Sequence, residues 1–414
     1  MRLAVFQFGA NVGELESTAD RGIVFRYTPE YTKGPQNRPI SQSLPVRERE
    51  YSQAAALPFF AGLLPDGELR RRIAEALHIS ETSSLKLLEA LGGECAGTIS
   101  LTPVQGVENS IAAQNNDGYD ELALTELERM ILESERIPLL VPRGGARLSL
   151  AGAQEKIPLL YKDRRWYKPM GNAPTSHILK PASPRFPEIV HNEYVVMRLA
   201  AAMGLPVSEV EFADFGKPVL MVKRYDRLYG TGGSLQRLHQ EDFCQALTIM
   251  PERKYQNDGG PGFTDMAMLI RKACTAPLAD LERLIDISLF NALVGNCDAH
   301  GKNFSLLYHD GLIELAPFYD LLATTYWPEL DTKLSMKFGH TYRLSDLRED
   351  DCTGLARDLG VAPKMVSRRL DRLREVAPAA WDRLLDLPGL HSQNILVESI
   401  RAGWESRICQ LMAG

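Results

Sequence analysis

The stretch on which the reading of this chain turns is Leu293-Val294-Gly295-Asn296-Cys297-Asp298-Ala299-His300-Gly301-Lys302-Asn303-Phe304. An amphipathic helix over 280–294 ends in Gly-Asn, polar side chains crowd a short loop, and a strand follows over 304–308. Asp298 and Asn303 stand five residues apart in that loop. A carboxylate and a carboxamide so placed suit phosphoryl chemistry: one orients and deprotonates a hydroxyl, the other offers a carbonyl oxygen to a hard cation. Further on, Glu314-Leu315-Ala316-Pro317-Phe318-Tyr319-Asp320 delivers a second carboxylate after a short strand. Turn capping by the same Asp and Asn side chains is the plainer alternative. The ordered set of loop, strand and Tyr-Asp weighs against it.

The spacing is that of the protein-kinase loop H-R-D-x-x-x-x-N. Such a site also needs a lysine on the phosphates, and Ser176-His177-Ile178-Leu179-Lys180-Pro181 offers one at the end of an apolar strand. Thirteen residues later Glu193, on a helix expected over 188–203, is placed to pair with it. A Gly-rich segment, residues 144–156 (GGARLSLAGAQEK), precedes that lysine. Its small residues let backbone N–H groups approach phosphate oxygens. It is neither G-x-G-x-x-G nor G-x-x-x-x-G-K-[ST], and a plain hairpin turn is its alternative.

Composition bounds these readings. The 414 residues suggest two or three domains. With 44% hydrophobic and 24% charged residues, the chain has the apolar surface for sizeable cores and is not principally disordered. The net charge of −6 excludes a uniformly basic nucleic-acid surface and leaves room for a local basic face. The six cysteines form no C-x-x-C pair, the histidines no H-E-x-x-H, and no long apolar run or signal-peptide pattern is present. A reduced, cytoplasmic protein without membrane contact is expected.

Along the chain, strands are expected over 3–8 and 22–27 with polar turn residues between them, helices over 54–60, 68–77 and 84–91, and a strand over 98–101. Residues 102–120 (TPVQGVENSIAAQNNDGYD) read as a linker. A unit over 121–235 combines a short acidic helix with strands over 157–161, 176–180 and 219–224, and the remainder is mostly helical.

Taken together, these blocks resemble the HipA-like Ser/Thr kinases, toxin partners of HipB-type antitoxins. The similarity includes SQSLP (41–45), FFAGLLPD (59–66), 149–156, 177–180, Asn192-Glu193-Tyr194, Tyr225-Asp226-Arg227, YQNDGGPG (255–262), 298–304 and 317–320. The resemblance implies an α+β, two-lobed, protein-kinase-like fold: an N-terminal subdomain (1–105), an N-lobe with the Gly-rich loop (106–235) and a mostly helical C-lobe (236–414). It implies ATP and Mg²⁺ as cofactors, Asp298 as catalytic base, and Asn303 and Asp320 as metal ligands. ATP contacts fall to Ala151, Gly152, Ala153, Gln154, Glu155, Lys156, Lys180, the hinge Lys223, Arg224 and Tyr225, then His300, Gly301, Lys302, Asn303, Tyr319 and Asp320. Lys223 stands where one member of the family has an acid. Ser149 is similar to the family's autophosphorylated serine, whose phosphate beside Arg147 would expel the nucleotide loop. The implied partners are a HipB-like DNA-binding antitoxin, operator DNA reached through it, and a protein substrate. An aminoacyl-tRNA synthetase is expected, with the glutamyl enzyme as precedent, so that translation stops and growth arrest or persistence follows. A catalytically silent corepressor and a small-molecule or lipid kinase are the alternatives.

One further segment, residues 355–370 (LARDLGVAPKMVSRRL), has the small, turn and apolar positions of a helix-turn-helix. Arg357, Lys364, Arg368 and Arg369 would make its DNA-backbone contacts. An αα-hairpin within a helical lobe is the competing reading.

Overall fold

The computed structural model describes the chain except residues 21, 36, 105–117, 143–145, 385–386, 391–393 and 413–414, and the side chain of residue 394. Most of the expected linker, and Gly144 and Gly145 of the Gly-rich segment, therefore lie outside the described residues.

Strands β1 (Arg2–Gln7), β2 (Ala10–Thr18), β3 (Gly22–Tyr27) and β4 (Ile99–Pro103) form an antiparallel sheet in the order β3-β2-β1-β4. The polar stretch expected to be a turn is β2, whose Val12 and Leu15 are fully buried while its glutamates face outward. Helices Gln53–Gly62, Gly67–Ala76 and Ser84–Leu91 complete the unit; Leu69 and Ile73, then Leu85, Leu88 and Leu91, enter the core at helical spacing.

Strands β5 (Tyr119–Leu122), β6 (Ile157–Lys162), β7 (Arg165–Pro169), β8 (His177–Pro181), β9 (Val210–Asp214) and β10 (Pro218–Lys223) make a second antiparallel sheet, ordered β5-β7-β6-β8-β10-β9. Alternation along β10 joins two cores: Val219 and Met221 pack with the N-terminal unit, Leu220 and Val222 with the helical lobe. Helix Ile189–Ala202 lies against β9 and β10.

The helical lobe is built from helices Phe263–Ala273, Pro277–Val294, Glu349–Leu359, Pro363–Leu384 and Asn394–Met412. Between the sheets lies the hairpin β11 (Arg227–Tyr229) with β12 (Leu235–Arg237). Strands β13 (His239–Asp242), β14 (Ser305–His309) and β15 (Leu312–Leu315) form a small sheet, and β16 (Lys333–Phe338) pairs with β17 (Thr341–Arg343).

Residues 355–370 form two helices joined at Gly360, which caps the first in the left-handed conformation at φ 63°. Leu355, Ala356, Leu359, Val366 and Leu370 are buried in the lobe's own core, so this is an αα-hairpin. Arg357, Lys364 and Arg368 are exposed. Arg369 departs from its expected role: its guanidinium is 2.7 Å from Glu282 and 3.4 Å from Asp286, and two carboxylates hold it against the helix Pro277–Val294.

The N-terminal unit is fastened to the helical lobe by polar contacts. Ser41 Oγ and Tyr308 Oη donate to the buried Glu241 carboxylate, and Gln42 N–H reaches Oε1 at 2.9 Å. Ser43 Oγ donates to Gln245 O at 2.8 Å, and Gln245 Nε2 donates to Phe59 O at 2.9 Å. Burial pushes Glu241 up to about 7 against these hydrogen bonds. A carboxyl raised on folding adds stability that is whole below its unfolded value, 4.5, and is lost as pH rises through about 7. Thermal melts from pH 4.5 to 8 should show a loss on the order of 3 kcal/mol in the wild type that Glu241→Gln lacks. Parallel profiles for the two proteins would contradict this assignment.

Candidate active site at the lobe junction

The helix Pro277–Val294 ends where its next residue must be glycine. Gly295 has φ +79°, and a Cβ there would lie 2.3 Å from Thr325 Oγ1. The chain then turns sharply, and Asp298 emerges exposed at the floor of a cleft of about 1060 Å³. His300, Lys302, Asn303, Tyr319 and Asp320 line the same cleft, with Lys180, residues 151–156 and the Lys223–Tyr225 edge opposite. Gly301 is buried behind it, donating its N–H to Lys254 O at 3.2 Å.

Lys180 is the hub. Its Nζ donates to Glu193 Oε1 and to Asp320 Oδ1, each at 2.6 Å, and the side chain is almost wholly buried. Burial alone would depress its ammonium, but Asp320 and Glu193 reverse that and raise it. Burial likewise works to raise Asp320, yet Lys180 and Lys156 hold its carboxyl well below the usual range. Glu193, deeper in the protein, is pushed up to about 6 by burial despite Lys180. Asp320 sits at φ 60°, a left-handed conformation that costs a non-glycine residue of order 1 kcal/mol or more. Asn303 Nδ2 donates to Asp320 Oδ2 at 3.1 Å, while Asn303 Oδ1 is buried without a hydrogen-bond partner. An orphan carbonyl oxygen beside an ionised carboxylate is a donor set that a hard cation satisfies.

The strip 149–156 crosses the opposite wall. Gly152 has φ +107°, and a Cβ on it would stand 2.5 Å from Lys156 Nζ. Lys156 donates to Ala151 O, and burial with nearby Lys180 pushes it down to about 8. Glu155 is paired with Arg72 at 2.6 Å and accepts from Leu139 N at 3.1 Å. Gln154 Nε2 is buried without a partner. Ser149 is fully buried; its Oγ donates to Leu63 O at 2.8 Å and its N–H to Glu94 O at 2.9 Å. Arg147 does not face it, since that guanidinium donates to the carbonyls of Leu88 and Glu89 at a helix end.

Two expected nucleotide contacts are engaged elsewhere. Lys302 donates to Gly62 O at 3.3 Å and lies 3.5 Å from Asp66 and 3.8 Å from Asp242, tying the lobe to the N-terminal unit. The side chain of Arg224 lies in a buried cluster behind the hinge. Arg224 and Arg227 reach Glu94 at 2.9 and 2.8 Å, Arg237 also pairs with it, and both Arg224 and Arg227 lie 2.8 Å from Asp226. At the hinge, Lys223 N–H donates to Glu209 O and Arg224 N–H to Ser176 O, both at 2.9 Å. Lys223 Nζ pairs with Glu209. Tyr225 stacks on Tyr319 with centroids 5.7 Å apart. Motif spacing missed Tyr255, whose Oη donates to Asp298 Oδ1 at 2.8 Å, because 43 residues separate them.

A two-lobed α+β fold with a lysine–glutamate pair facing an Asp–Asn–Asp set defines a kinase-like protein. Residues 3–102 match the HipA N-terminal domain and 148–381 the HipA-like C-terminal domain. The chain belongs to the HipA-like kinase family, as its resemblance indicated. It is 40% identical over 388 residues to Y4mE of Sinorhizobium fredii, covering 93% of this chain and 92% of that protein. It is 28% identical over 395 residues to the serine/threonine-protein kinase toxin HipA of Shewanella oneidensis, covering 92% and 88% respectively. The solved complex of Shewanella oneidensis HipA with HipB and its operator DNA superposes at a TM-score of 0.85, with 26% identity over 99% of this chain and 97% of that one.

Lys180→Met should destabilise the protein by about 3–5 kcal/mol at pH 8, because it leaves Glu193 buried without its ion-pair partner. At pH 5, below the Glu193 value of about 6, the same carboxyl is neutral and the loss should shrink. Urea midpoints at the two pH values check this; equal losses would contradict it.

Proposed function

We propose that this protein is a serine/threonine kinase that uses Mg-ATP to phosphorylate a protein, as the toxin of a HipBA-type toxin–antitoxin module. One observation carries the reading: Lys180 joins Glu193 to Asp320 while Asp298 and Asn303 open into the same cleft. A pseudokinase would be free to lose these residues, which weighs against the silent corepressor.

Asp298 orients the acceptor hydroxyl and accepts its proton. Lys180, Lys156 and the backbone of 151–156 hold the ATP phosphates, Tyr225 and Tyr319 flank the base, and backbone at the hinge meets its edge. With the N–H groups of Lys223 and Arg224 already bonded, Tyr225 N–H is the hinge donor left for adenine. Asn303 Oδ1 and the Asp320 carboxylate would hold Mg²⁺, which when bound neutralises phosphate charge. Positioning and electrostatic stabilisation account for most of the rate. The units 1–105, 106–235 and 236–414 correspond to the N-terminal subdomain, N-lobe and C-lobe in this reading.

Ser149 is the autophosphorylation site. Its hydroxyl is fully buried here, so phosphorylation requires the strip 149–156 to leave its wall. A phosphate adds about −1.5 to −2 charges next to the Leu63 carbonyl oxygen, to which the hydroxyl now donates. The modified strip stays out and the kinase is silenced. Partners of the module are a HipB-like antitoxin and operator DNA, the solved Shewanella oneidensis complex being the support. An aminoacyl-tRNA synthetase is the proposed target, by analogy with the family, with arrest of translation in the cytoplasm as the outcome.

Purified protein incubated with labelled ATP should incorporate phosphate at Ser149 only with Mg²⁺ present, and Asp298→Ala should reduce labelling by at least about 10²-fold. Mass spectrometry of the labelled peptide checks the site. Equal labelling of wild type and Asp298→Ala would refute the proposed role of Asp298.

A further inference from the structure

Lys254 lines the cleft beside Asp298 and His300, on a loop that the sequence motifs do not mark as a site. Its backbone is held firmly in place. Lys254 O accepts the Gly301 N–H at 3.2 Å, and Gly260 N–H donates to Tyr255 O at 2.8 Å. Gly260 lies so close that a Cβ would stand 2.4 Å from Arg253 O and 2.7 Å from the Lys254 carbonyl. Glycine is required there to fold the 254–260 loop onto the Asp298 segment.

The side chain differs from the other lysines deep in the cleft. Lys180 is paired with Glu193 and Asp320, Lys302 lies near Asp66 and Asp242, and Lys156 donates to Ala151 O. Lys254 is half-buried and makes no hydrogen bond or ion pair among the described residues; its Nζ lies 5.3 Å over the Tyr255 ring. That ring's hydroxyl donates to Asp298. After burial, Lys254 is the strongest influence on the Asp298 carboxyl and the strongest on His300, which stays neutral. Its charge therefore acts where the acceptor hydroxyl and the terminal phosphate meet. A half-buried cation with no counter-ion among the described residues, beside a general base, is poised for developing negative charge.

We propose that Lys254 is a catalytic residue whose ammonium contacts the phosphoryl group in transit and stabilises the charge that builds on its oxygens. The proposal rests on the kinase reading above. In the step, the acceptor oxygen forms a bond to the γ-phosphorus while the bond to the β–γ bridging oxygen breaks. That electron pair leaves with ADP, and the hydroxyl proton passes to the Asp298 carboxylate. Tyr255, through its hydrogen bond to Asp298, is a positioning residue.

The test uses the full-length protein with Mg-ATP, reading ADP release and incorporated phosphate at saturating ATP, with ATP affinity measured separately by titration of a fluorescent analogue. Lys254→Ala should lower the maximal rate by about 10²–10³-fold with ATP affinity changed less than about threefold, and Lys254→Arg should recover at least about tenfold of that loss. Lys333→Ala, removing an exposed lysine at the rim of the same cleft, should leave the rate within about threefold of wild type. A Lys254→Ala rate within about threefold of wild type would overturn the proposal, as would a loss of ATP affinity that accounts for the whole effect. An equal loss in Lys333→Ala would also overturn it, by showing only a diffuse cleft charge. A wild type that forms no ADP would remove the kinase reading and this proposal with it, whereas an active wild type whose rate Lys254→Ala leaves unchanged overturns this proposal alone.

Discussion

An ammonium group buried as deeply as that of Lys180 must be surrounded by counter-charge, and the two carboxylates that supply it come from different parts of the fold. Glu193 arrives on the helix Ile189–Ala202 and Asp320 on the loop after β15, so one point of charge balance fixes a strand, a helix and a loop relative to each other. The cost of desolvating Lys180 and Glu193 is met only when all three groups are in place. The same contact keeps Asp320 in its strained left-handed backbone and keeps its second oxygen facing Asn303. Strain held by surrounding structure at such a site is a form of preorganisation.

The N-terminal unit holds this junction from a third side. Glu94 gathers Arg224, Arg227 and Arg237 behind the hinge, and Gly97 N–H donates to Asp226 at 2.7 Å. Glu241 binds the 41–42 segment, and Lys302 reaches back to Gly62 and Asp66. Lobe opening would break several buried polar contacts together. The strip 149–156, where phosphorylation is proposed to act, is held by Ser149 to Leu63 and Glu94, by Glu155 to Arg72 and by the Asp66 N–H to Gly152 O at 3.1 Å.

Much of the site was legible in the sequence because its chemistry is local. The D-x₄-N spacing and the Tyr-Asp that follows it are set within 23 residues of chain, and Asp298, Asn303 and Asp320 do line one cleft. Helices with a clear apolar stripe, such as Ser84–Leu91, were also readable. Strand β2 was not, because with only Val12 and Leu15 turned inward its polar residues read as a turn. The edge strands β5 and β9 are half-exposed and carry the same weak pattern. Side-chain direction was the other gap. Lys302 and Arg369 sit in segments whose spacing suggested ATP or DNA, but the nearest carboxylates, distant in sequence, claim them.

By itself the sequence determined the chemical groups available: the carboxylates of Asp298 and Asp320, the Asn303 carboxamide, Lys180 and a Gly-containing strip, in an order that names the family. Backbone geometry and short-range spacing are properties of neighbouring residues, so a linear reading captures them. The tertiary structure alone decided which charges are paired. Lys180 with Asp320 spans 140 residues, Glu94 with Arg224 spans 130, and Tyr255 with Asp298 spans 43. Burial of Lys180, Glu94 and Arg224 demands counter-charge, and no pattern along the chain records which residue supplies it. Among the described residues the tertiary structure likewise left Lys254 without a carboxylate partner, in the cleft that Asp298 lines.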